Sequence, residues 1–292
     1  MKNTANSERL SNEILQKRDN LIAYIDQFPM VAIAVSGGID SMLLAYLAHR
    51  FSRADVAVVH AQSPAVPTQA LQRILNYAER ENWSLKLVNA GEFEDANYLK
   101  NPANRCYFCK SNLYNRVASC AQGVIFSGTN LDDLNDYRPG LVAAQEQSVC
   151  HPYVEVQITK AEIYQLARFY QLTELQDLPA QPCLASRVET GIQITKKDLD
   201  FIDKAEQFTR HQFADGKNIR CRITHQGVVI EFDCLPRDEQ LIAYKLKITE
   251  LCAQHSYLFC GVRKYQRGSA FLLDTQNRKP PKNVIYKEVV NG

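Results

Sequence analysis

No stretch of this chain comes near the ~20 consecutive apolar residues that cross a bilayer. The first residues, among them Lys2, Asn3, Ser7, Glu8 and Arg9, lack the apolar core of a secretory leader. The expectation is a cytoplasmic protein with no membrane partner. Net charge is also scarce: 34 Lys and Arg face 32 Asp and Glu, leaving +2. Proteins that grip nucleic acid usually carry a strong basic excess or a concentrated basic stripe. The one basic cluster, Arg278, Lys279, Lys282 and Lys287, reads as a solvated tail. Large nucleic-acid partners are therefore disfavoured. Internal repeats and low-complexity segments are missing too. What remains, 46% hydrophobic and 23% charged over 292 residues, describes one large and one small globular domain.

Among what is present, Ser36, Gly37, Gly38, Ile39, Asp40 and Ser41 carry the most information. They follow the apolar run Met30–Val35 and open an amphipathic segment reaching about Arg50. A buried strand thus feeds a glycine turn at a helix N-terminus, where free N–H groups attract an anion. Ser36 and Ser41 add hydroxyl donors, and Asp40 adds a carboxylate suited to Mg²⁺ among phosphates. No Lys-[Ser/Thr] pair follows the glycines, which excludes the phosphate loop of kinases and GTPases. The spacing also fails the dinucleotide-binding pattern. An ATP site of another kind is expected. The motif resembles the pyrophosphatase loop (PP-loop) of the N-type ATP pyrophosphatases, which cleave ATP to AMP and pyrophosphate.

Along the chain, 7–27 reads as a leading amphipathic helix, 30–35 and 55–60 as buried strands, and 67–82 as a helix. A third strand at 85–88, a helix over 110–121 and a strand at 124–127 follow. Alternating strands and helices predict an α/β fold, a Rossmann-like parallel sheet with ligands at the strand C-termini. His60 lies at such an end, a place for adenine or ribose. A helix over 159–170 precedes a long loop, 172–194, that holds Pro179, Pro182 and Gly191. Loops of this length are uncommon unless functional. Helix 196–212, a hairpin 219–232 around Gln226-Gly227, helix 237–254 and strand 257–262 then suggest a small α+β C-terminal domain. The division expected is 1–194, 195–275 and a tail 276–292.

Nine cysteines without an export signal argue against disulfides, and the odd count agrees. Cys106 and Cys109 form a C-x-x-C at a helix start among cationic neighbours, which favours thiolates. Alone, that pattern is equally consistent with a metal site, a redox couple or packing. Cys183 follows a proline inside the long loop and has little reason to be core. Cys120, Cys150, Cys221, Cys234, Cys252 and Cys260 read as packing residues. His151, His225 and His255 lack ligand-like grouping and read as structural.

Taken in order, several segments resemble the LarE family of ATP-dependent sulfur transferases, which act in nickel-pincer cofactor synthesis. The resemblance runs over about 20–270. It rests on the loop at Ser36–Ser41, the stretch Ser63–Pro67, and Asn101-Pro102 leading to Arg105–Lys110. Gly128–Asp133, Asp136–Gly140, Thr159–Ile163, Pro182–Arg187 and Arg220–Gly227 complete it. It implies adenylylation of a carboxylate of a pyridinium dicarboxylic acid mononucleotide, followed by displacement of AMP by sulfur. It also implies that Cys106, Cys109 and Cys183 hold a 4Fe–4S cluster through three ligands, leaving one iron open. A three-cysteine zinc site, or Cys183 as a sacrificial sulfur source beside a Cys106–Cys109 relay, are the alternatives. Ser36, Gly37, Gly38, Asp40, Ser41, His60 and Gly128 would bind ATP. Asp132 or Asp133 would join Asp40 on Mg²⁺. Arg138, Arg187, Arg220 and Arg222 would meet phosphate or carboxylate groups, for which the planar guanidinium is suited. Arg220 and Arg222 alternate on a strand and share a face. A separate sulfur donor and a homo-oligomer are also implied.

Three other functions share the loop. A tRNA thiolase also uses three cysteines but needs an RNA grip that the charge balance does not provide. An ammonia-dependent amidating enzyme has no use for the cysteines. A non-catalytic ATP sensor would bind ATP and return it unchanged.

Overall fold

The computed structural model describes residues 10–272 apart from 136–138, 215 and 217. Its first part alternates helix and strand: α1 Asn12–Ile25, β1 Met30–Ala34, α2 Ile39–Phe51, β2 Asp55–Gln62, α3 Thr68–Arg80 and β3 Ser84–Asn89. There follow α4 Ala96–Leu99, α5 Arg105–Cys120, β4 Val124–Ser127, α6 Pro139–Glu146, α7 Pro152–Glu155 and α8 Lys160–Phe169. The second part holds α9 Lys196–Gln212, β5 Ile219–Thr224, β6 Gly227–Phe232, α10 Asp238–Gln254 and β7 Phe259–Lys264.

Strands β1 to β4 form one parallel sheet in the order β3-β2-β1-β4. A parallel sheet must be covered on both faces, and the period-two alternation of side chains shows how. Val31 and Ile33 of β1, Val56 and Val58 of β2 and Phe126 of β4 enter one core with α1, α2, α3 and α8. Ala32, Val59 and Ile125 turn the other way, against Tyr114 and Val117 of α5 and Ala144 of α6. The fold is α/β and Rossmann-like, as the alternation predicts. Its chain leaves β1 toward β2 on one side while β4 lies on the other. The crevice between β1 and β4 is thus the switch point where ligands of such sheets bind.

The second sheet pairs β5 with β6 as an antiparallel hairpin and β6 with β7 in parallel. Leu199, Ile202 and Ala205 of α9 and Leu241, Tyr244 and Ile248 of α10 pack with it. This is the small α+β C-terminal domain. Residues of the long loop, Leu184, Ala185, Val188 and Ile194, belong to the same core, and Val188 bridges Ile223 of β5. Among the described residues no helix is long and apolar enough to cross a membrane.

Several boundaries differ from the sequence reading. The helix expected from 110 begins at Arg105, because the Asn101-Pro102 turn starts it: the Arg105 N–H bonds the Pro102 carbonyl at 2.9 Å. No apolar periodicity marks that first turn. The leading helix spans 12–25 within the described residues. Helix α6 lies in a stretch for which the sequence predicts no element. The basic cluster 278–287 and the expected tail lie outside the described residues.

Candidate active site

At the C-terminal end of β1 the Val35 N–H still bonds the Val59 carbonyl at 2.9 Å, and the chain then turns through Ser36 and Gly37. Gly37 has φ 78°, and a Cβ there would lie 2.7 Å from the Ala70 carbonyl oxygen. Only glycine fits such a position. Gly38 is the N-cap of α2 and supplies no side-chain cap, which leaves first-turn N–H groups for an anion. Ser41 ties the turn together: its Oγ accepts from the Ser36 N–H at 3.1 Å and donates to the Gly38 carbonyl at 3.3 Å. Across the crevice, Gly128 follows β4, and a Cβ on it would stand 2.5 Å from the Ser41 nitrogen. The loop after β4 therefore touches the first turn of α2 backbone to backbone.

The acidic side of the crevice has an occupant that the sequence did not announce. Lys160, the first residue of α8, sets its Nζ 2.6 Å from both carboxylate oxygens of Asp40. Asn130 Nδ2 donates to Asp40 Oδ1 at 3.2 Å. Burial pushes the Asp40 carboxyl above the usual carboxylate range and Asp133 adds to this, while Lys160 pulls the other way. Asp132 accepts the Lys160 backbone N–H at 2.6 Å, and Asp133 accepts the Asn130 backbone N–H at 3.1 Å. Asp40, Asp132 and Asp133 thus gather around the start of α8.

His60 is 1% exposed. Its Nδ1 meets the Val35 carbonyl at 2.9 Å, while Nε2 is buried without a hydrogen-bond partner among the described residues. Burial lowers its pKa, so the ring is neutral near pH 7. It lines a cleft of about 630 Å³ at the ends of β2 and β3 with Gln62, Ser63, Glu92, Lys196 and Asp200. Ser63 bonds Glu92 there.

The cysteines come next. Cys106 and Cys109, three apart on α5, share a helix face. Cys183 precedes the short turn Leu184–Arg187, which is pinned by a bond from the Leu184 N–H to the Ala65 carbonyl at 2.8 Å. Burial raises the Cys106 and Cys109 thiols. In both, the next cause is the charge Cys183 would carry, so the three lie within electrostatic reach. Arg105 and Lys110 favour the Cys106 thiolate. Among the described residues no three His, Cys, Asp or Glu side chains gather closely enough to hold a metal ion. The donor set itself, three cysteine sulfurs, is of the kind an iron–sulfur cluster takes. All nine cysteines are free. Cys221 and Cys252 are buried, but Cys234 and Cys260 are exposed, so packing does not explain those two.

Two side chains tie these parts together. Arg73 donates from Nη1 to the Gly37 carbonyl at 2.6 Å and to Gln181 Oε1 at 3.4 Å, joining the glycine turn after β1 to the Cys183 loop. Asn101, fully buried at φ 52°, donates to the carbonyls of Glu189 and Ile192 and accepts from Arg105. It clamps the C-x-x-C helix to the same loop. Neither had a role from the sequence, nor did Lys160 or Asn130. The T-K-A-E capping signal marked the helix start on which Lys160 sits, but not where its side chain points.

Arg187 is 2% exposed and engages Glu206 through two bonds, at 2.8 and 3.1 Å, and the carbonyls of Pro182 and Cys183. It braces the cysteine loop. Arg222 is paired with Glu231 at 2.7 Å and bonds the Ser186 carbonyl. Arg220 bonds the carbonyls of Ile219 and Ala180, with no carboxylate in contact among the described residues, and burial together with Arg187 brings its pKa down to about 10. The Tyr265 ring stands over both Arg220 and Arg222, which confirms their common face. Arg138 lies outside the described residues. His151 meets Ser127 Oγ at 2.7 Å, His225 pairs with Glu189, and His255 bonds the Leu251 carbonyl.

No protein-family model matches the chain. It is 36% identical over 198 residues to the uncharacterized protein slr1717 of Synechocystis, covering 66% of this chain and 74% of that one. The uncharacterized protein MJ0830 of Methanocaldococcus jannaschii is 30% identical over 207 residues, 70% of this chain and 77% of its own. A third relative, at 26% over 199 residues (66% of this chain, 72% of its own), is the pyridinium-3,5-bisthiocarboxylic acid mononucleotide synthase of Lactiplantibacillus plantarum.

Proposed function

The chain belongs to the family of the slr1717 and MJ0830 proteins, and on that premise we propose that it is a LarE-like, ATP-dependent sulfur transferase. The distant synthase supports the class of substrate, a pyridinium mononucleotide bearing carboxylates. One observation carries the reading: Arg73 bonds both the phosphate turn at Gly37 and the cysteine loop at Gln181. A group activated at the first is therefore held beside a sulfur source at the second.

The α2 N-terminus, Ser36 and Ser41 hold the phosphates of ATP, and Asp40 with Asp132 or Asp133 holds Mg²⁺. Gly37 and Gly128 allow that approach, and the buried Nε2 of His60 faces the nucleoside. A substrate carboxylate oxygen attacks the α-phosphorus, pyrophosphate leaves, and an acyl adenylate forms. A sulfur nucleophile then adds to the carbonyl carbon and AMP leaves, which yields a thiocarboxylate. Cys106, Cys109 and Cys183 would hold the sulfur-bearing group, a 4Fe–4S cluster, which would supply inorganic sulfide for the transfer. Arg187 and Asn101 hold Cys183 against α5 while this happens.

The test is release of AMP and pyrophosphate from ATP and Mg²⁺ by protein purified without oxygen. Release is expected only with a pyridinium carboxylate mononucleotide present. Release that ignores the mononucleotide, or ATP recovered unchanged, contradicts the reading.

A further inference from the structure

The Lys160–Asp40 contact is at odds with a site built for a divalent cation. Two ammonium–oxygen distances of 2.6 Å put a unit positive charge where a metal ion bound to the same carboxylate must sit. A metal ion on the same carboxylate would be repelled by this ammonium, which already contacts both oxygens. We infer that Lys160 holds the place of the divalent cation at Asp40 and moves to the nucleotide's phosphates when the metal arrives with them. The inference rests on the ATP reading of this crevice and adds a residue and an order of events to it.

The geometry around Lys160 suits a side chain that changes partners over a fixed base. Its backbone N–H is anchored on Asp132 at 2.6 Å. The turn before it is locked by a capping box between Thr159 and Glu162, and Lys17 bonds Glu162 at 2.7 Å. The stem beyond that anchor is four flexible carbons, and Nζ at its end stands 5.3 Å over the Tyr164 ring. Neither end of the contact is sealed: the Lys160 and Asp40 side chains are 30% and 27% exposed. Asp40 lies in the first turn of α2, beside the N–H groups that would take a phosphate, so an ammonium leaving Asp40 finds phosphate oxygens close by. Asp133 lies near enough to raise the Asp40 carboxyl, so these acids repel one another and Lys160 offsets that repulsion. The consequence is ordered binding, in which free metal is kept off until nucleotide brings it.

Mn²⁺ binding to the full chain, followed by electron paramagnetic resonance without nucleotide, tests this. Wild type should bind Mn²⁺ weakly, and Lys160→Gln at least tenfold more tightly. Lys160→Arg, which keeps a cation on Asp40, should stay near wild type, and Asp40→Asn combined with Lys160→Gln should lose the gain. With a non-hydrolysable ATP analogue the order reverses, and Lys160→Gln should bind the Mn²⁺ complex more weakly than wild type. Equal nucleotide-free affinity in wild type and Lys160→Gln overturns the inference, as does tight nucleotide-free binding by wild type itself, a measurement that needs no variant to fold. Failure of the ATP reading looks different: wild type then shows no gain in Mn²⁺ affinity with the analogue.

Discussion

Arg187 is buried against an anion, Glu206, with the two side chains 2% and 1% exposed. Burial alone would lift the Glu206 carboxyl; Arg187 and Arg210 bring it down to about 2. Removing one partner of a buried pair leaves the other uncompensated, so Glu206→Gln should cost ~3–5 kcal/mol at pH 7. The sign with pH follows from the lowered value. The stabilisation is complete above the ordinary 4.5 and is lost as pH falls toward 2. Urea unfolding at pH 7 and pH 3 should therefore show the gap between wild type and Glu206→Gln narrowing at the lower pH. A constant gap would mean that the charge of Glu206 is not what matters.

Two glycines make close approaches beside the crevice, Gly37 to Ala70 of α3 and Gly128 to the first turn of α2, and each makes a separate prediction. Gly128→Ala would drive a Cβ to 2.5 Å from the Ser41 nitrogen, which forces β4's exit away from α2. Gly37→Ala meets both a positive φ and the Ala70 carbonyl. Each should lower ATP affinity at least tenfold by calorimetry while far-ultraviolet circular dichroism stays near wild type, since neither glycine lies inside a strand. Much of this element pattern could be read in advance, because buried parallel strands are unbroken apolar runs and amphipathic helices separate them. The start of α5 could not, because a buried Asn101 in a left-handed turn sets it and no periodicity reports that. Lys160 was hidden for a related reason. A helix N-cap signal tells where a lysine sits in the chain, and only the packing of α8 against α2 tells that it faces Asp40.

In the whole molecule, the Cys183 loop belongs to both parts of the chain. Its residues Leu184 and Val188 pack in the core of the second sheet, while Gln181 is bonded to the arginine that holds Gly37. The roles that sequence could not settle follow from this. Arg187 and Arg222 looked like free cations on a motif and a strand, yet their carboxylate partners, Glu206 and Glu231, come from other elements. Cys183 is likewise 74 positions beyond Cys109 and 77 beyond Cys106, and folding brings it into electrostatic reach of both. Protein purified without oxygen should carry about four iron and about four acid-labile sulfide per chain, lost in Cys183→Ala. Zinc in place of iron would transfer the three thiols to a structural role.

The measurement that bears most directly on sulfur transfer is mass spectrometry of both product and protein after anaerobic turnover with ATP, Mg²⁺, inorganic sulfide and the mononucleotide. The account predicts a product with one carboxylate oxygen replaced by sulfur, made in excess over protein, with the chain mass unchanged. A product without sulfur would contradict it. So would sulfur limited to one atom per chain with Cys183 converted to dehydroalanine, which would make that cysteine the donor.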